Sequence, residues 1–353
     1  MVHSREQITS TLLDDILRSV SRSFYLTLRT APAQTRRSAG LAYLFCRAAD
    51  TIADTGLLPR EQRLTHLGHY REQFLQPAIQ WDRLFALADR LNPREGSSGE
   101  RALLVRLSDC FHLLLALPQT DQRLIRQLVA TLTNGMAMDL TAFPGDAVES
   151  ARALPTLKDM DQYCYFVAGC VGEFWTRLHR YHIPAMAVAG PEEEHCRLAV
   201  QFGKGLQMTN LLKDIAPDLR RGRCYIPQEL LATVGLTPQQ LSDPAAISRL
   251  RPILHQLVRL TLDHLDQGWR YIRGLPARPV RLRLACLWPH LLALKTLRLI
   301  AASDRLLDPA PLKISRASVY RTMAVTCLLI PSPWLLDRYQ ARLRRQLFDV
   351  LHP

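Results

Sequence analysis

The chain has 353 residues, 48% hydrophobic and 22% charged, with a formal net charge of +13 and a sequence pI near 9.7. That balance excludes a disordered chain, because it supplies ample apolar material for a core. The charge predicts attraction to an anion, whether nucleic acid, an acidic membrane surface or a phosphorylated small molecule, and does not choose among them. Eight cysteines (Cys46, Cys110, Cys164, Cys170, Cys196, Cys224, Cys286 and Cys327) are scattered without a C-x-x-C pair. Several lie in apolar runs, which points to buried thiols in a reducing compartment rather than a disulfide framework or a zinc site. Residues 1–10 are polar and lack an apolar h-region, so no secretory signal is expected and the location reads as cytoplasmic.

Along the chain, apolar residues recur at three- and four-residue spacing, first at Leu12, Leu13, Ile16, Leu17 and Val20 and later at Leu211, Leu212, Ile215 and Leu219. This is helical periodicity, and alternating strand-like runs are scarce. The punctuation agrees: breaks at Pro32 and Pro59, a polar stretch at 92–100, and stops at Pro144, Gly145 and Pro184. The expectation is an all-α chain of roughly ten helices in a single domain over 1–353, with 92–100 a surface loop inside it. The apolar stretch 323–336 is interrupted by Pro331 and Pro333 and falls short of the ~20 residues a bilayer requires, so no transmembrane anchor is expected. The last helix, 334–351, places Leu335, Tyr339, Leu343 and Leu347 on one stripe and Arg338, Arg342, Arg344 and Arg345 elsewhere. Such a stripe packs on a core; peripheral contact with the inner face of a membrane is the alternative.

Two helical segments stand out because acids interrupt apolar sequence at a fixed spacing: Asp50 with Asp54, and Asn210, Asp214 and Asp218. Residues i and i+4 of a helix lie one above the other about 6 Å apart, so each set shares a face. Like charges held that close are costly unless a cation lies between them, and Mg²⁺ takes a few carboxylate oxygens together with water and phosphate oxygens. Placed opposite each other, the two faces would make a magnesium cage that grips a diphosphate and assists its departure. Cations stand beside both sets. Arg47 precedes Asp50, Lys213 adjoins Asp214, and Arg220, Arg221 and Arg223 follow Asp218, where they can hold phosphate oxygens. A salt-bridged helix surface is the competing reading.

These residues carry a resemblance. The chain resembles the squalene/phytoene synthase family over nearly its full length in four ordered segments. Ser21, Arg22, Ser23 and Phe24 are similar to that family's early S-R-S-F flap, and the run from Arg47 through Asp54 to its first aspartate motif. The run from Tyr163 to Gly172 matches a Y-C-x-x-V-A-G-x-V-G segment, and the stretch from Thr209 through Asp214 and Arg223 to Pro227 its second aspartate motif. The resemblance implies an isoprenoid-synthase-type helical bundle with a central cavity, in which two prenyl diphosphates condense head to head. It implies Mg²⁺ held by Asp50, Asp54, Asn210, Asp214 and Asp218, a cyclopropyl diphosphate intermediate, Tyr163 at the position of proton removal, and Tyr43 and Arg47 near the departing diphosphate. Substrate contacts are implied for Ser21, Arg22, Ser23, Phe24, Arg47, Val167, Gly169, Asn210, Lys213 and Arg223. A tyrosine suits a cation pocket, since its ring face stabilises positive charge while its hydroxyl, or the released pyrophosphate, accepts the proton; a core tyrosine is the plain alternative. Ala168, Gly169 and Gly172 would let a helix backbone approach an isoprenoid chain or, equally, another helix.

Within the family, the Asp50–Asp54 wording, Gly135, Met136 and Ala137, and the segment from Lys313 to Arg316 are similar to bacterial squalene synthases. That likeness implies farnesyl diphosphate as substrate, squalene as product and a hopanoid, sterol or carotenoid precursor role. It implies NADPH at a site including Ser21, Ser23, Lys313 and Arg316. The alternatives are sisters without hydride transfer, which make presqualene diphosphate, dehydrosqualene, hydroxysqualene or phytoene, and a non-catalytic assembly protein of the same fold. Both motifs depart from many animal and fungal relatives in having Ala53 and Pro217 where a glutamate precedes the second aspartate, and Pro217 should bend its helix before Asp218. Gly203 and Gly205 do not open a dinucleotide fingerprint, because Met208 stands where the third glycine belongs. No nucleic-acid motif accompanies the positive charge. His66 with His69 and His179 with His182 lack a third ligand and read as surface or core histidines. A monomer is expected.

Overall fold

Apolar spacing of three and four becomes helix along most of the chain in a computed structural model, which describes residues 5–21, 24–55, 58–90, 98–310 and 312–352. The helical segments outnumber the ten or so expected, because π-helical turns at Thr11–Ile16 and Tyr165–Gly169 and breaks at single residues divide the longer ones. Strand is confined, among the described residues, to Arg152–Ala153 pairing in parallel with Arg223–Cys224. The chain divides into two compact units: Met1–Leu140 with Glu173–Val188, and Thr141–Gly172 with Ala189–Pro353.

The first unit is organised around the Ala33–Asp54 helix, which buries Leu41, Leu44, Phe45, Ala48, Ala49 and Ile52 along one stripe. Phe45 meets Phe74 edge-on at 5.0 Å and Phe111 at 4.9 Å, and Tyr70 donates to the Phe45 carbonyl at 2.9 Å. Each such ring contributes about 1.5–3 kcal/mol by burial, with further gain from tilted contacts. The 92–100 reading needs correction at its end: the Ser98–Val105 helix includes Glu100. The opposite end of the Ala33–Asp54 stripe is polar. Ser38 donates to Asp121 at 2.5 Å, and His182 Nε2 donates to the same carboxylate at 2.8 Å. His179 Nδ1 lies 2.7 Å from the Trp175 carbonyl and must donate to it; in a neutral ring Nε2 then accepts from Thr35 at 3.0 Å. Burial pushes His179 down to about 4, which keeps that ring neutral. Both histidines therefore belong to a core network. Among the described residues no group of three or more His, Cys, Asp or Glu side chains gathers as a metal cluster.

In the second unit the Glu192–Lys213 helix packs against Ile247–Gly274 on one side and the Tyr165–Gly169 turn on another. A Cβ on Gly172 would lie 2.1 Å from the Ala199 carbonyl oxygen, and one on Gly203 would lie 2.3 Å from that of Ala168. Close backbone approach therefore accounts for these glycines. Lys204 on the Glu192–Lys213 helix donates to both oxygens of Asp161, on the Leu157–Cys164 helix, at 2.8 and 2.7 Å. The Val280–Ala302 helix is long and apolar enough to cross a membrane by composition, yet Leu287, Leu291, Leu294 and Leu297 are at most 1% exposed, as in a core helix. It supports the Pro333–Leu351 helix, whose buried stripe is Leu336, Gln340, Leu343, Leu347 and Leu351. The expected stripe is thus corrected by one position at its start: Leu335 is 41% exposed and Tyr339 only half-buried. Arg344, expected to be solvated, instead grips Asp266 with Nε at 2.9 Å and Nη2 at 2.7 Å.

All eight cysteines are free thiols. Burial raises Cys110 and Cys164, and pushes Cys224 up to about 12, so these sulfurs are protonated core atoms.

Candidate active site

In the first unit, Asp50 and Asp54 occupy the last turn of the Ala33–Asp54 helix, and Arg63 Nη1 donates to the Ala53 carbonyl at 3.2 Å, which holds that end in place. The Asp50 side chain is 46% exposed and lies 3.2 Å from Arg47 Nη1, while Arg47 Nη2 binds Glu100. Desolvation pushes Asp50 up to about 6; Asp54 and Glu100 add repulsion, and Arg47 opposes them. Burial by itself would lower Arg47, but Asp50 and Glu100 leave it above its ordinary value, so it stays a cation. Asp50 and Glu100 thus share one guanidinium, and Asp54 repels Asp50 from one turn along the helix, a repulsion that a bound cation would relieve. Tyr43, one turn before Arg47, is half-buried and donates to the Val20 carbonyl at 3.4 Å. Ser21 is 2% exposed and its hydroxyl donates to its own helix at Leu17, 2.5 Å away. Arg22 and Ser23 lie outside the described residues, and Phe24 begins the Phe24–Thr30 helix.

In the second unit, the second motif does not continue one helix. Glu192–Lys213 ends, Asp214 adopts φ −103° and ψ 19°, and Ile215–Leu219 begins afresh. Pro217 explains this: it has no N–H to give the Lys213 carbonyl, and its ring would clash there. The Asp214 and Asp218 amides still donate to Asn210 and Asp214 carbonyls at 2.9 Å, so the one-turn offset of the acids survives the break. Lys213 lies 3.1 Å from Asp214 and 3.4 Å from the Asn210 side-chain oxygen. Asp218, Arg223 and Tyr225 border one pocket of about 10 Å³, room for a single water.

Tyr163 comes to this second motif through the short ladder. Leu154 donates to the Cys224 carbonyl at 3.1 Å and Gln228 to that of Leu154 at 2.7 Å, which sets the start of the Leu157–Cys164 helix beside 223–228. Thr156 and Asp159 then close a capping box at that start. Tyr163 ends up 9% exposed, its ring stacked on Tyr225 at 4.9 Å and its hydroxyl donating to the Tyr225 hydroxyl at 3.3 Å. Phe143 meets Tyr225 edge-on at 5.1 Å. Val167 and Gly169 lie in the π-helical turn that follows, Val167 half-buried and Gly169 against Val200 and Lys204. Such turns concentrate at functional sites. Lys313 and Arg316 are exposed at the start of the Arg316–Leu329 helix.

Two partners escape a reading of the sequence. Glu100 falls in the polar stretch 92–100, although the S-x-x-E spacing from Ser97 to Glu100 is a helix-start signature that places it. Tyr225 lies in the quoted second motif, but only the ladder between distant segments brings it to Tyr163. Each acid set offers hard oxygen ligands without sulfur or imidazole, which suits Mg²⁺ with its remaining positions left to water and phosphate. The exposed cations Lys313 and Arg316 have the chemistry to hold nucleotide phosphates, whereas the Ser21 hydroxyl is turned into the core.

The chain matches the sequence model of the squalene/phytoene synthase family over residues 17–318. It is 29% identical over 303 residues to presqualene diphosphate synthase of Rhodopseudomonas palustris, spanning 85% of this chain and 91% of that protein. It is 25% identical over 318 residues to squalene synthase of Eremothecium gossypii, spanning 89% of this chain and 66% of that protein. A solved complex of TcSQS with the ligand E5700 shares the fold, with a TM-score of 0.76 at 22% identity over 99% of this chain and 97% of that one. The fold and its family define a prenyltransferase-type enzyme built from helices. The chain belongs to the squalene/phytoene synthase family.

Proposed function

We propose that the enzyme condenses two farnesyl diphosphates head to head to presqualene diphosphate and reduces that intermediate with NADPH to squalene. The observation that carries the reading is the pair of acid sets, Asp50 with Asp54 and Asp214 with Asp218, each at a helix end with a cation beside it, in a chain of this family. Mg²⁺, bound by these acids and by Asn210, would neutralise the diphosphate leaving group. Arg47, already fixed by Asp50 and Glu100, and Lys213 and Arg223 would bind phosphate oxygens. As the first diphosphate leaves with the bonding electrons, the acceptor's double bond attacks the allylic cation, and loss of one proton closes the cyclopropane. The Tyr163 and Tyr225 ring faces stabilise positive charge, and the Tyr163 hydroxyl, hydrogen-bonded to Tyr225, relays the departing proton to the released pyrophosphate, which is the base that keeps it. Lys313 and Arg316 are the reductant-binding candidates for the second step.

A second reading, in which catalysis ends at presqualene diphosphate, is favoured by the name of the Rhodopseudomonas relative and by the inward-turned Ser21. One experiment separates the two. The purified chain is incubated with farnesyl diphosphate and Mg²⁺, with and without NADPH, and products are analysed. Squalene appearing only with NADPH supports the first reading; presqualene diphosphate in both supports the second. No consumption of farnesyl diphosphate rejects both, and chelation of Mg²⁺ should stop all turnover.

A further inference from the structure

The Arg316–Leu329 helix is turned inside out. Its buried residues are Thr322 and Thr326. They accept hydrogen bonds from the Val280–Ala302 helix, Thr322 from Lys295 at 2.5 Å and Thr326 from Trp288 at 3.0 Å. The opposite face carries Tyr320 at 64% exposure and Leu328 at 80%. A helix on a water-facing surface does the reverse. The chain then turns at Pro331 and resumes with Trp334 61% and Leu335 41% exposed. The segment 328–335 is therefore an apolar corner between two helices, made from the stretch whose hydrophobicity the two prolines interrupt.

Cations flank the corner. Arg321, Arg338 and Arg342 are exposed, and the Arg338 guanidinium stands 4.6 Å over the Trp334 ring. The Arg316–Leu329 helix contains no Asp or Glu, and Asp337, the acid nearest the corner in sequence, is paired with Arg273 at 3.3 Å. Exposed apolar residues at this density mark an interaction surface rather than ordinary scatter. The charge selects the partner. A second copy would bring the same arginines into a two-fold contact, cation against cation. A lipid surface with anionic headgroups satisfies both components: acyl boundary for the corner, phosphates for the arginines.

We propose that the 328–335 corner is a membrane-seating surface, with Leu328, Trp334 and Leu335 entering the acyl boundary of an anionic leaflet and Arg321, Arg338 and Arg342 resting on its headgroups. The inference does not depend on the reaction proposed above. The test is co-sedimentation of the full chain with vesicles of phosphatidylcholine alone and of phosphatidylcholine with phosphatidylglycerol. The variants are L328D/W334D and R321E/R338E, all at exposed positions, with circular dichroism and thermal unfolding to verify that they fold. Wild-type partitioning should be about tenfold stronger on the anionic vesicles and should weaken as salt is raised. L328D/W334D should lose about tenfold or more on both vesicles, and R321E/R338E should lose the anionic preference while keeping residual binding to neutral lipid. The proposal is overturned if the wild-type chain stays in solution with anionic vesicles, or if L328D/W334D sediments as well as wild type. It is also overturned if sedimentation velocity shows a dimer that L328D/W334D dissolves while no vesicle binds.

Discussion

The two aspartate sets share a spacing and differ in what surrounds them. Asp50 and Asp54 end an unbroken helix and face Arg47, which is also claimed by Glu100 from a separate helix. Asp214 and Asp218 straddle a break, and the cation paired with Asp214, Lys213, is its own sequence neighbour. One set is held by tertiary contact, the other by local backbone geometry. The lesson is that a D-x-x-x-D spacing fixes which residues are one turn apart, while the source of rigidity depends on the company each set keeps.

The largest effect that would undo this pairing is on turnover. Asp50→Ala and Asp214→Ala should each lower kcat by at least about 10²-fold with circular dichroism unchanged, because each removes a charge that the transition state needs. Unaltered turnover in either would take that set out of the chemistry. Next in size is a stability effect confined to the first unit. His179 titrates near 4 when folded against 6.5 when unfolded, so between those values only the unfolded chain binds the proton. Stability should therefore fall as pH drops from 6.5 towards 4, by up to about 3 kcal/mol from this group. Unfolding by urea across that range measures the slope, and His179→Phe should flatten it while costing about 1–2 kcal/mol at pH 7 through the abandoned Thr35 and Trp175 partners.

His290 in the second unit supplies the contrast. Its ring is fully buried between Phe202 and Trp269, and both nitrogens lack a hydrogen-bond partner among the described residues. His290→Phe should be neutral or stabilising by about 1 kcal/mol at pH 7, since it removes buried polar atoms without leaving a partner behind. A loss as large as that of His179→Phe would contradict the account. The smallest expected effect belongs to Pro217→Ala. With the amide restored, the helix can run through Asp214, and the change should raise KM for farnesyl diphosphate a fewfold with little effect on thermal unfolding.

Much of this arrangement was legible before any coordinates. The spacing of Leu211, Leu212, Ile215 and Leu219 announced helix, Pro217 announced a disturbance before Asp218, and the histidine pairs had no third ligand in reach. What stayed hidden depended on partners far away in sequence. Tyr225 acquires its place only when Arg223–Cys224 pairs with Arg152–Ala153. Leu336 rather than Leu335 faces inward because the supporting Val280–Ala302 helix, not the spacing of leucines, chooses the buried face. Glu100 reads as loop in the sequence because glycine and serine precede it, and its partner Arg47 lies in another helix. Gly172 stays open in the sequence between a ligand and a helix, and the Ala199 carbonyl decides for the helix.

The ladder between 152–153 and 223–224 has a further consequence. Because the ladder tethers the start of the tyrosine helix to the segment that follows the second acid set, the two should loosen together, and the amides of Arg152, Leu154 and Gln228, which donate across it, would act as a built-in reporter of that event. Deuterium uptake at these three positions should rise in concert, ahead of the Glu192–Lys213 interior, whenever the second unit begins to open.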